Sequence, residues 1–246
     1  LSTDPLRGRV ALVTGGSGGI GAAICRMLGA VGVEVAVGYG RGSDAAEALA
    51  SEIASSAGVR AVALGADLAD SGAPARLVAA TEEALGPIDI LVANHGVARV
   101  ASYEEVDAAA FDLTLAVNLR APFLLAQAVL PGMRDRKFGR VLFMSSGAAF
   151  RGGVVGPDYA ASKAALHGLT FFLATRVAAD GVTVNTIAPG FIETAMLPGE
   201  PAALGALVPV GRVGQPEEIA DVTLAVLRNG YITNHVFSAD GGLHPR

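Results

Sequence analysis

Tyr159 and Lys163 stand four residues apart in the segment Tyr159-Ala160-Ala161-Ser162-Lys163. On a helix that spacing puts a phenol and an ammonium on one face, a turn from each other. A free phenol ionises near pH ~10, too weakly acidic for ready proton exchange at neutrality. A fixed positive charge beside it favours the phenolate and is expected to lower that pKa, fitting Tyr159 for general acid or base work. Thirteen residues before Tyr159, Ser146 follows the run Val141-Leu142-Phe143-Met144-Ser145, so a hydroxyl is expected at a strand's C-terminal edge beside this helix. Open α/β sheets bind their ligands at that edge. Alone, a Tyr-x-x-x-Lys spacing is more often a half-buried ring with a snorkelling lysine; the surrounding chain gives it meaning.

The second chemical feature is the glycine-rich turn Thr14-Gly15-Gly16-Ser17-Gly18-Gly19-Ile20-Gly21. It follows a β-branched run and opens an amphipathic segment, the setting in which glycines let a backbone approach a pyrophosphate at a helix N-terminus. A merely flexible turn is the competing reading, and the elements on either side argue against it. The turn predicts a bound dinucleotide, with Gly15, Ser17, Gly18, Gly19, Ile20 and Gly21 around its phosphates.

The elements that must position these residues alternate along the chain. Strands are expected over 9–14, 33–37, 59–64, 88–93, 140–145, 182–187 and 235–238, and helices over 19–31, 44–57, 74–85, 108–130, 157–179 and 216–227. That alternation predicts an α/β fold: a single doubly wound parallel-sheet domain over 1–246, about seven strands with helices on both faces. The longest irregular stretch, 189–215, is rich in Gly and Pro, and a loop of that length reads as a substrate lid, here around 190–214.

Composition narrows the function classes. A net charge of −5 and the lack of a basic patch remove the long-range attraction that drives nucleic-acid binding, so no nucleic-acid partner is expected. One cysteine, Cys25, permits neither an internal disulfide nor a multi-cysteine metal site; no metal is expected, and Cys25 reads as a small core residue in a cytoplasmic protein. The first residues, Leu1-Ser2-Thr3-Asp4-Pro5, lack a basic region followed by an apolar stretch, so no secretory signal is expected. The apolar stretch 111–130 contains Asp112, Asn118, Arg120 and Pro122, which suits a buried helix better than a membrane span.

Together these residues make the chain resemble, nearly end to end, a short-chain dehydrogenase/reductase with a Thr-Gly-x-x-x-Gly-x-Gly cofactor turn in a Rossmann fold. Thr14, Gly15, Gly19 and Gly21 match that turn, Asp67-Leu68 an adenine-side contact, and Asn94 and Gly96 part of an Asn-Asn-Ala-Gly motif. Asn118, Ser146, Tyr159 and Lys163 match the family's catalytic tetrad, and Pro189, Gly190, Ile192 and Thr194 the segment that holds the nicotinamide carboxamide. The resemblance implies that Ser146 and Tyr159 bind a carbonyl, that Tyr159 donates its proton, and that Lys163 lowers the tyrosine pKa and holds the nicotinamide ribose. It also implies that Asn118 positions a water relaying protons to Lys163; a buried asparagine capping a distorted helix turn is the structural alternative. His95 departs from the family motif, and its ring is expected to pack beside the nucleotide without a catalytic role.

Cofactor preference follows from charge. NAD-preferring relatives end the second strand with an acid; here Tyr39 takes that place and Arg41 follows, a cation suited to a 2′-phosphate, although Gly18 stands where many NADP-preferring relatives carry a basic residue. NADP(H) is therefore expected over NAD(H). The segments around Pro189 and Ser238-Ala239-Asp240-Gly241-Gly242 are most similar to 3-oxoacyl-[acyl-carrier-protein] reductases of fatty acid biosynthesis, implying NADPH-dependent reduction of a 3-oxoacyl thioester on an acyl carrier. The alternatives are a ketoreductase or alcohol dehydrogenase for another small or polycyclic ketone, sugar or steroid, and a catalytically silent NADP(H)-binding sensor. Helices 111–130 and 157–179 carry apolar or small residues around much of their circumference, Ala160, Ala161, Ala164, Ala165, Phe171 and Phe172 among them. A homotetramer, or failing that a dimer, is the expected assembly.

Overall fold

The inner β-branched runs bury both of their faces, the pattern of parallel strands covered by helices on either side, while the two edge runs are only half-buried. The computed structural model describes residues 4–244. Positions 1–3 and 245–246, the ends of the 1–246 domain span and the start of the segment read for a leader, lie outside the described residues.

The strands are β1 (Val10–Thr14), β2 (Glu34–Tyr39), β3 (Ala61–Gly65), β4 (Ile90–Ala93), β5 (Gly139–Met144), β6 (Val182–Pro189) and β7 (Val236–Ala239). They form one 7-stranded parallel sheet in the order β3-β2-β1-β4-β5-β6-β7. The chain winds outward from β1 to β3, then returns to β4 on the other side of β1 and continues to β7. The reversal opens a crevice between the ends of β1 and β4, the place where such sheets bind nucleotides.

Alternate residues of the strands feed two cores. Ala11 and Val13 of β1 join Ile24 and Leu28 of α1 (Gly19–Ala30), Leu49 and Ile53 of α2 (Ser43–Ala57), and Ile219 and Leu224 of α9 (Pro216–Arg228). Val10 and Leu12 face the other way, onto Leu77 of α3 (Ala73–Leu85), Leu125 of α5 (Ala121–Asp135) and Leu166 of α7 (Pro157–Val177). The fold is the expected doubly wound domain, with strand ends moved by a few residues; β6 runs on to Pro189.

The expected helix over 108–130 is not continuous. It divides into α4 (Ala108–Leu115), a π turn (Ala116–Arg120) and α5, which continues to Asp135 with Pro131 inside it. The physical cause is Pro122, which has no N–H to give the carbonyl of Asn118 four residues back and whose ring crowds that carbonyl. The Ala121 N–H reaches instead to the Ala116 oxygen, five residues back. By length and composition the combined run Ala108–Asp135 could cross a membrane, but it packs against α3 and α7 as a layer of the domain. Two short helices escape the periodicity, α6 (Ala148–Arg151) after β5 and α8 (Pro201–Gly205) within the lid. The lid base is closed by a bridge between Ile192 and Gly214 and by the Arg212–Glu218 ion pair.

Candidate active site

The glycine turn sits where β1 passes into α1, and its geometry leaves no room for side chains. Gly15 has φ +62°, and a Cβ on Gly21 would lie 2.1 Å from the Gly15 oxygen and 2.7 Å from the Asn94 amide nitrogen. Gly19 is capped from outside by Thr194, whose methyl would lie 2.6 Å from a Cβ there. The first-turn N–H groups of α1 have no acceptor within the helix. A bare cradle at a helix N-terminus suits a pyrophosphate, so the residues present fit the dinucleotide. Gly18 is different: a Cβ there meets only the Gly15 oxygen, at 3.6 Å, so the space a basic side chain could use stands open.

Asn94 fixes the turn from β4, its Nδ2 donating to the carbonyl oxygens of Thr14 at 3.2 Å and Gly15 at 3.1 Å. Farther out, Tyr39 ends β2 with its ring against Gly65, and Arg41 is exposed just beyond. Asp67, exposed after β3, accepts the Ala69 N–H at 3.0 Å, and Leu68 is half-buried next to it. On the other side, Pro189 ends β6 and its carbonyl accepts the Gly147 N–H at 2.8 Å. Gly190 is tight against Asp240, and Ile192 is buried at the lid base.

The tetrad converges on the same edge. Tyr159 and Lys163 are both buried in the first two turns of α7. Ser146 follows β5, accepts the Ala148 N–H at 3.2 Å, and brings its hydroxyl near enough to Tyr159 to favour the phenolate. Ser145 faces the opposite way, its hydroxyl engaged by the Lys163 carbonyl and the His167 ring at 2.9 Å each, so Ser146 is the one that meets Tyr159. Lys163 Nζ donates to the Met144 carbonyl at 2.9 Å. Gly96 lies close beneath the pair: a Cβ would lie 3.2 Å from Lys163 Nζ and 3.3 Å from Asn118 Oδ1, so a side chain there would push both by a few tenths of an ångström.

Electrostatics corrects one expectation. The Tyr159 hydroxyl is pushed above its ordinary value, because burial disfavours the phenolate more than the nearby Ser146 side chain favours it. Lys163 Nζ lies 5.9 Å from the centre of the tyrosine ring and does not lower that pKa in this arrangement. Burial instead lowers Lys163 itself, to about 8. Tyr159 is thus held as the protonated acid through neutral pH.

Asn118, fully buried in the π turn, is a clamp. Its Oδ1 accepts the Val97 N–H at 2.8 Å, and its Nδ2 donates to the Val97 carbonyl at 2.9 Å and to Ser162 Oγ at 3.1 Å. Both amide donors are spent on protein; the group left to hold a water is the backbone carbonyl that Pro122 cannot bond. His95 does not lie loose beside the nucleotide site: Nδ1 is 2.6 Å from the Thr14 hydroxyl and Nε2 is 3.0 Å from the Val117 carbonyl.

A glycine cradle at the β1–β4 crevice and a Ser-Tyr-Lys group on the neighbouring edge are the arrangement of one family, and the family description "short chain dehydrogenase" matches residues 9–203. The chain belongs to the short-chain dehydrogenase/reductase family. It is an oxidoreductase. An acetoacetyl-CoA reductase of Rhizobium meliloti is 40% identical over 241 residues, covering 95% of this chain and 98% of the relative. A 3-oxoacyl-[acyl-carrier-protein] reductase of Synechocystis sp. is 36% identical over 244 residues, covering 97% and 98%. Among solved structures, a blue fluorescent protein from a metagenomic library, in complex with NADPH, superposes with a TM-score of 0.90 at 38% identity, covering 98% of this chain and 99% of that one.

Three features of this short-chain dehydrogenase/reductase were not read from sequence. Ser162 links the Asn118 amide to the Tyr159 carbonyl, and its place between Tyr159 and Lys163 was the available signal. Asp158 accepts the Thr114 hydroxyl at 2.6 Å, joining α7 to α4 just ahead of the tyrosine. His244, paired with Asp240 at 2.8 Å, packs on Gly147 beside Ser146. The last two are contacts between distant segments, which no local pattern announces.

Proposed function

We propose that this enzyme reduces a 3-oxoacyl thioester to the 3-hydroxyacyl thioester, using NADPH. The observation that carries the reaction type is the convergence of Ser146 after β5 with the buried Tyr159 and Lys163 of α7 at one sheet edge, Lys163 Nζ 5.9 Å from the tyrosine ring. The bound nicotinamide supplies the hydride. Ser146 and Tyr159 donate to the substrate carbonyl oxygen, and Tyr159 passes its proton to that oxygen as the alkoxide forms. Lys163 holds positive charge behind the tyrosine and would hold the ribose hydroxyls of the bound nucleotide. Water at the Asn118 carbonyl connects Lys163 with solvent to restore the proton.

The thioester reading draws on the acetoacetyl-CoA and 3-oxoacyl reductases among its relatives. Exposed apolar residues on the segments that flank the site, Val97 after β4, Val154 after β5, and Met196 and Leu207 in the lid, suit the alkyl part of such a substrate and favour, as a second reading, another apolar ketone. NADPH preference is supported by the missing acid at Tyr39, by Arg41, and by the NADPH-bound structural relative. The reading goes with a cytoplasmic enzyme that assembles as a homotetramer through the outer faces of α4, α5 and α7.

Comparing kcat/KM for acetoacetyl-CoA with a panel of cyclic and polycyclic ketones tests the substrate. The thioester is expected to be the better by more than about tenfold, a margin of about 1.4 kcal/mol in transition-state binding; a ketone outside this class that matches or exceeds it moves the assignment to the second reading. In the same assay Arg41→Ala should narrow the gap between NADPH and NADH, chiefly by weakening NADPH.

A further inference from the structure

The π turn creates a hydrogen-bonding deficit, and His95 meets it. In an unbroken helix the Val117 carbonyl would accept the N–H of Ala121, but that N–H is spent on Ala116. A π-type bond would come from residue 122, which is proline and has no N–H. Val117 is buried, and a buried carbonyl without a donor is costly. His95 Nε2 fills the place at 3.0 Å.

The partners also fix the ring's tautomer. A carbonyl only accepts, so Nε2 must carry the hydrogen. Burial together with the charge on Lys163 holds the ring neutral, with its pKa lowered to about 3. Nδ1 is then an acceptor, and the Thr14 hydroxyl donates to it at 2.6 Å. The same hydroxyl oxygen takes the Asn94 N–H at 3.2 Å, and Asn118 grips both backbone groups of Val97. The loop 94–97 is therefore stitched to β1 at one end and to the π turn at the other, with His95 as the side chain that spans both.

We propose that His95 is a positioning residue for the reductase reaction: its Nε2–H holds the π turn through the Val117 carbonyl, and so sets Asn118 and Gly96 against Lys163. The role rests on the reductase reading of the site, and it is one that the alanine of the family's usual motif cannot perform.

Three variants separate the two ends of the strut. His95→Gln keeps an N–H donor as many bonds from the backbone as Nε2; His95→Asn reaches only as far as Nδ1; His95→Ala reaches neither. His95→Ala and His95→Asn are expected to lower kcat about 10- to 100-fold, the scale of an ångström-level misplacement, with the KM for NADPH within about twofold. His95→Gln should recover most of the loss. Hydrogen exchange over residues 116–121 should quicken in His95→Ala and His95→Asn and stay near wild type in His95→Gln. This second readout needs no turnover, so it stands even if the proposed reaction is wrong, while a wild-type enzyme inactive on every ketone tells against the reaction reading alone.

Wild-type kcat and exchange in His95→Ala would overturn the proposal, as would a His95→Gln variant as impaired as His95→Asn. So would a limb near pH ~6.5 in the wild-type kcat/KM profile that disappears in His95→Gln, since the ring would then titrate during turnover. If His95→Ala fails to fold, the Asn and Gln variants decide by the same two readouts.

Discussion

At the scale of the residue, burial decides the protonation states. Tyr159 is held above the ordinary tyrosine range and Lys163 is lowered to about 8, so at neutral pH the site presents a protonated phenol beside an ammonium. Ketone reduction consumes a proton and needs that state. Its kcat/KM is expected to be level near neutrality and to fall as pH rises through about 8, where Lys163 discharges. A full pH profile of reduction checks this; activity that climbs through the same range would contradict it. The tetrad was legible because Tyr159, Lys163 and Ser146 carry their chemistry in their identities and spacing. The rise in the Tyr159 pKa was not, because it depends on how much water the finished fold excludes.

At the scale of the element, the join between α4 and α7 sets where the helix carrying Tyr159 begins. Asp158 is buried at the first turn of α7, and its Oδ2 is held by the Thr114 hydroxyl while Oδ1 has no partner among the described residues. Thr114→Val removes that donor and leaves a buried carboxylate poorly satisfied. A loss of about 2 kcal/mol in urea-unfolding free energy is expected, together with lower kcat, because Tyr159 is the next residue. A variant as stable and active as wild type would show that the contact carries no weight. Strands and most helices were readable from β-branched runs and periodicity. The break in the helix expected over 108–130 needed the consequence of Pro122 to be followed back to the Asn118 carbonyl. The Thr114–Asp158 contact joins residues 44 apart, and neither Thr nor Asp at those positions marks a partner.

At the scale of the whole molecule, the outer helical layer exposes large apolar side chains. Leu113 is 52% exposed, Phe171 48% and Phe172 55%, and Ala161 and Gly168 leave the neighbouring face of α7 flat. Small residues flanked by exposed rings permit close approach of a second copy. Sedimentation equilibrium is expected to show a tetramer, and Phe172→Glu to shift the population toward smaller species. A single species at the 24.7 kDa monomer mass would rule the assembly out. The apolar circumference of these helices was visible in the sequence, and the fold adds which side is left uncovered.

Tyr159 as the proton donor of a dinucleotide-dependent reduction is tested most directly by Tyr159→Phe. The substitution removes one hydroxyl at a buried position and leaves the glycine cradle intact. NADPH affinity, followed by cofactor fluorescence, is expected to change little, while kcat with a good keto substrate falls by about 10²- to 10⁴-fold. A Tyr159→Phe enzyme that binds NADPH normally and keeps more than about a tenth of wild-type kcat would contradict the assignment.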